Sequence, residues 1–194
     1  MIDTALNFLK KYVDNRFSAT IGAPEVIVAD VPKDVADIEK DKIYFTLINI
    51  EEEKVLKNLP AYQNASNGSV QLMNPELRLN LYLLVSAIFL KDDTSYERQL
   101  KYLSMVIAFF QGKHVFEDVD FEALDAGQGL EKIILDLQST TLDQNNQIWT
   151  ALQTKLSPSV LYKVRLVVIL DKDAEPVSST FEVKGIGLDL KMKS

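Results

Sequence analysis

Cysteine is absent from this 194-residue chain, and histidine occurs once, as His114. The first absence excludes disulfides, thiolate nucleophiles, zinc–thiolate sites and iron–sulfur clusters built from this chain, and it fits a reducing cytoplasm. The second leaves at most one imidazole for metal binding or for a Ser-His-Asp arrangement. Basic runs are missing too: 21 Lys+Arg stand against 28 Asp+Glu, a formal charge of −7. A chain of that sign, with no basic stretch, makes a poor phosphate-backbone binder, so nucleic acid is not expected as a partner. The most apolar stretches, 79–90 and 164–170, fall well short of the roughly 20 residues that a membrane-spanning helix needs. Met1-Ile2-Asp3 opens into an amphipathic pattern, without a basic region followed by an apolar one. The expectation is therefore synthesis in the cytoplasm, no signal peptide and no membrane insertion.

What is present is ordinary for a globule. Hydrophobic residues make up 47% and charged residues 25% of the chain, a composition that can build a core. No internal repeat and no Pro/Gly/Ser-rich linker divides it, and at roughly 150 residues per domain the length suggests one domain, 1–194. The least core-like stretch is 56–74, with Pro60, Asn64, Asn67, Gly68 and Ser69; it reads as a long exposed loop, either mobile or a binding element. Residues 172–194 read as a C-terminal strand and tail.

Leu6, Leu9, Val13 and Phe17 recur at spacings of three and four and predict a helix over 3–16 with Asp3 as its N-cap. Tyr96, Leu100, Leu103, Ile107 and Phe110 form a second stripe. Thr94 and Glu97 have capping-box spacing, and Gly112 is a candidate stop. The flanking Met105, Val106, Ala108 and Phe109 suggest cover on more than one side. A third helix over 143–153 would turn Ile148, Trp149 and Leu152 inward. Strands are expected at 26–29 and at 43–50, the latter apolar enough to be covered on both faces. Leu77, Leu79, Leu81, Leu83 and Val85 alternate with Arg78, Asn80 and Tyr82, which is a strand period. Val160, Tyr162, Val164, Leu166, Val168 and Leu170 share one strand face, with Lys163 and Arg165 on the other. Weaker candidates lie at 133–137 and 180–190. Strands and helices without regular alternation predict an α+β fold, with a mixed or mostly antiparallel sheet packed against a few helices.

No pattern of catalytic residues emerges. His114 follows the second helix without a partner cluster, as a polar residue near a helix C-terminus does. Glu51-Glu52-Glu53 and Glu117, Asp118, Asp120, Glu122 and Asp125 are acidic, but Phe121 and the late Gly127 break a calcium-loop pattern, leaving a solvated loop or strand edge. Gly127-Gln128-Gly129 and Gly185-Ile186-Gly187 do not extend to a phosphate-binding motif. Ser159 lacks a nucleophile-elbow context. The aromatic residues lie at core spacing and are not interleaved with basic ones. No catalytic residue, metal ligand or cofactor is expected. The residues that remain unusual are polar ones on strands. If Arg78–Asn80 and Lys163–Arg165 pair, they make a polar, partly basic sheet face, either an ordinary solvated one or one onto which an acidic patch of a neighbouring subunit could dock.

The order of certain blocks resembles the tail-terminator, or cap, proteins of phage-tail-like contractile injection systems, in their shared N-terminal domain. The resemblance begins at Asp3-Thr4-Ala5-Leu6 and continues through Leu47-Ile48-Asn49-Ile50-Glu51-Glu52-Glu53 and Lys57-Asn58. It resumes at Pro75-Glu76-Leu77, Leu79-Asn80-Leu81-Tyr82-Leu83-Leu84, Tyr96, Leu100, Leu103-Ser104, Val106-Ile107-Ala108-Phe109-Phe110 and Val115-Phe116. It closes with Trp149, Leu152 and Ser157-Pro158-Ser159-Val160-Leu161-Tyr162-Lys163-Val164-Arg165. The resemblance implies a tail-terminator-like fold and a structural protein, not an enzyme. It implies a homo-oligomeric ring, usually six-fold, whose partners are the inner tube and sheath, capped at the baseplate-distal end. The assembled particle would then be either released or membrane-anchored. Some members carry a C-terminal extension, and this chain stops soon after its late strand. On this reading the candidate assembly interface comprises Lys57, Asn58, Tyr62, Asn67, Arg78, Asn80, Lys163 and Arg165. Two alternatives stand beside it: a small-molecule or peptide binding module with a cavity between sheet and helices, and an enzyme relying on carboxylates alone.

Overall fold

A computed structural model describes residues 1–18, 22–34, 38, 40–53, 62–64, 70–72, 77–126 and 130–168. The chain divides into two compact units, one of residues 1–56 with 76–169 and one of 57–75 with 170–194.

The first unit is built on a six-stranded sheet. Its strands are β1 (Glu25–Val28), β2 (Lys42–Glu52), β5 (Leu77–Ile88), β6 (Val115–Glu117), β7 (Leu130–Gln138) and β8 (Ser159–Val168). They are ordered β1-β2-β5-β8-β7-β6. Only β1 and β2 run parallel; the other four pairings are antiparallel. The expected mixed, mostly antiparallel α+β sheet is what forms. In the second unit, β3 (Tyr62–Asn64) and β4 (Val70–Leu72) pair antiparallel. The stretch read as a plain loop thus contains two short strands, with the Asn67-Gly68 turn signal between them. The candidate strand at 180–190 lies outside the described residues.

One sheet face carries the main core. Helix α1 (Ile2–Phe17) and helix α2 (Ser95–Gly112) pack on it. From α1 come Leu6, Leu9, Val13 and Phe17, the stripe read from the sequence, together with Phe8 and Tyr12. From the sheet come Ile43, Phe45, Leu81, Leu83, Val85, Tyr162, Val164 and Leu166. Helix α3 (Asp118–Ala123) adds Phe121, whose ring meets Phe8 edge-on at 4.8 Å. The acidic run expected as a loop or strand edge is therefore β6 followed by this short helix. Its apolar Phe121 supplies the burial that the acids cannot.

The α2 stripe is rotated from its expected position. Ser95, Tyr102, Leu103, Val106 and Phe110 are buried, whereas Tyr96 is 62% and Leu100 42% exposed. Two apolar faces compete on this helix, and the sheet selects the one through Tyr102 and Val106. The Thr94–Glu97 capping box does not form: Thr94 makes no side-chain cap. Asp92 instead holds the N-cap residue itself, its Oδ1 accepting from Thr94 N at 2.8 Å and from the Thr94 hydroxyl at 3.0 Å. Arg98 then donates to Asp92 at 2.7 Å and to Asp41 at 2.6 Å, tying the start of α2 to the residue before β2. This ion pairing holds the Asp92 carboxyl below its usual value. Helix α2 ends because Lys113 turns extended, with φ −147°, and not through a left-handed Gly112.

The opposite sheet face is covered at one end by α4 (Leu142–Ala151). Trp149 is buried there with Val31, Tyr44, Leu84 and Ile88, and Ile148 and Leu152 pack against the same cluster, as their spacing indicated. A capping box that the sequence reading missed starts this helix: Thr141 Oγ1 accepts from Gln144 N, and Gln144 Oε1 accepts from Thr141 N. The turn after α4 is fastened to the loop after β1, where the Thr154 hydroxyl donates to Pro32 O at 2.8 Å. Among the described residues no helix is long and apolar enough to cross a membrane.

Candidate functional site

The half of the α4-side sheet face beyond Trp149 is polar, and strand register explains its composition. In β5, Leu81, Leu83 and Val85 point into the main core, so Asn80 and Tyr82 point the other way. Asn80 lies opposite Arg165 and Tyr82 opposite Lys163 across the β5–β8 pair. Arg78, Asn80, Lys163 and Arg165 therefore share a face, which the sequence reading gave as a condition.

That face is not basic, however. A bulge between Leu47 and Asn49 shifts the β2 register by one residue. Before it, odd-numbered Ile43 and Phe45 face the core; after it, Asn49 and Glu51 stand opposite Tyr82 and Asn80 on the polar side. Asp136 of β7 joins them opposite Lys163. The Tyr82 hydroxyl donates to Glu51 Oε2 at 3.0 Å, and Asn80 Nδ2 donates to Glu53 Oε2 at 2.9 Å. Arg165 bridges Asp136 at 2.8 Å. Three carboxylates thus balance the cations of β5 and β8. Partial burial, with the Glu51 hydrogen bond and the charges of Glu51 and Glu53, holds the Tyr82 hydroxyl above its usual pKa. Asn80 is only 4% exposed. The arrangement is an ordered surface on which polar and charged side chains are matched within the chain.

Of the other residues expected at an assembly interface, Tyr62 lies on β3, its backbone opposite Leu72. Lys57, Asn58, Asn67 and the tail 172–194 lie outside the described residues. Glu51, Glu53 and Asp136 were missed as members of the polar face. Asp136 has a legible signal, the alternation of Ile133, Leu135 and Leu137 around it. Glu51 has none, because its face depends on the bulge.

The other candidates do not converge. His114 is exposed on the link between α2 and β6, and its carbonyl accepts from Leu135 N at 2.8 Å. Among the described residues no three His, Asp or Glu side chains group as metal ligands would. Between α4 and the sheet lies a groove of about 200 Å³ whose lining includes Leu84, Leu137, Asn145, Ile148 and Leu161. It is smaller than the roughly 300–1,000 Å³ of ordinary ligand pockets and gives the small-molecule reading no support.

Comparison with known proteins bears on the same architecture. Among curated proteins, none matches the chain. Solved structures that share its fold include two terminators. The sheath/tube terminator of the PVC extracellular contractile injection system, in its extended state, superimposes with a TM-score of 0.68 at 11% identity, covering 100% of this chain. The tube-terminating cap of the anti-feeding prophage superimposes with a TM-score of 0.61 at 17% identity, covering 97%. The chain spans 65% and 59% of the length of those two proteins. A family model, the Pvc16 N-terminal domain, matches residues 4–180. With that match running over nearly all of its length, the chain belongs to the Pvc16 N-terminal domain family.

Proposed function

We propose that this chain is a cap of a contractile injection system, a ring-forming terminator that ends the inner tube and sheath at the baseplate-distal end. The observation that carries the reading is the family match over residues 4–180, with both superimposed structures being terminators. The physics of such a role is surface matching. A tube of stacked rings ends in a face with unmet contacts, because head-to-tail association does not close along its axis. A terminator must fit that face on one side and offer no matching face on the other. No bond is made or broken, so the chain acts as a structural protein and not as an enzyme. Six copies form the ring, with tube and sheath subunits as partners. The chain is made in the cytoplasm and becomes part of the assembled particle. The polar face around Arg78, Asn80, Lys163 and Arg165 and the segment containing Lys57, Asn58, Tyr62 and Asn67 provide the assembly contacts.

The test is to purify the chain alone and with its tube protein, and to measure mass by light scattering and shape by negative-stain imaging. Rings of six copies seated on tube ends are expected. Parent particles that lack the chain, or tubes of normal length assembled without it, would overturn the reading. Deleting 61–70 is expected to leave the circular dichroism of the main unit intact and to weaken ring or tube contact. Normal capping by that variant would remove the segment from the interface.

A further inference from the structure

We draw no further inference here: the strongest candidate, the small groove between α4 and the β7–β8 end of the sheet, flanked by exposed Leu137 and Leu142, is an unpartnered surface, and nothing in the structure shows what covers it.

Discussion

Phe110 sits where four elements meet. Its ring is 5.3 Å from that of Tyr162, 6.1 Å from Tyr12 and 6.3 Å from Phe45, and its side chain is almost fully buried. Truncation to alanine removes the transfer energy of the ring and leaves a void that β-strands cannot collapse into. Phe110→Ala is expected to cost about 3–5 kcal/mol, read as a lower urea midpoint at unchanged slope. Tyr162 gives a second prediction at this scale. Burial pushes its hydroxyl from 10.0 up to about 12. The fold favours the protonated phenol, so the contribution is complete below the unfolded value near 10 and is lost as pH rises toward 12. Stability should fall over that interval, and Tyr162→Phe should fall less steeply; parallel alkaline titrations followed by circular dichroism would decide. A Tyr162→Phe curve that coincided with the parent's would assign the alkaline loss to other groups.

The elements show how local chemistry and packing divide the work. Helix α1 follows its sequence stripe because only one of its faces is apolar. Helix α2 is apolar on two sides, so periodicity alone could not choose between them. Helix α4 is fixed at both ends, by the Thr141–Gln144 box and by the turn at Gln153. Gln153 holds φ +57°, a left-handed conformation unfavourable to a residue with a Cβ. Gly there removes the steric cost, while Gln153 N–H can still donate to Thr150 O. Gln153→Gly is therefore expected to raise stability by about 1 kcal/mol, measurable as a higher midpoint in denaturant. An unchanged or lower midpoint would show that the turn gains more from the glutamine side chain than it loses to strain.

For the whole molecule, charge and assembly oppose each other. Six copies at −7 bring about −42 to one ring. Salt screens that repulsion over roughly 8–10 Å at ordinary ionic strength. The polar face does not offset it, because Glu51, Glu53 and Asp136 already balance the cations there. Raising salt from a low to a physiological concentration is thus expected to increase the ring fraction, read by light scattering. A steady loss of rings with added salt would instead make ion pairs between subunits the dominant contact.

Composition and periodicity by themselves determined the absence of thiol chemistry, the α+β class, helix α1, and the inward faces of β5 and β8. The helix and the two strand faces follow from apolar spacing that leaves each element a single face to bury. The ordered blocks also pointed to the family that the match over 4–180 establishes. Only the tertiary structure decided the rotation of α2, the Asp92 bonds to Thr94 in place of a Thr94–Glu97 box, the helix within the acidic run and the charge balance of the polar face. The Glu51 side chain shows why. One extra residue at the β2 bulge carries it from the core side of the sheet to the polar side, and such a bulge forms only when β2 finds its register on β5.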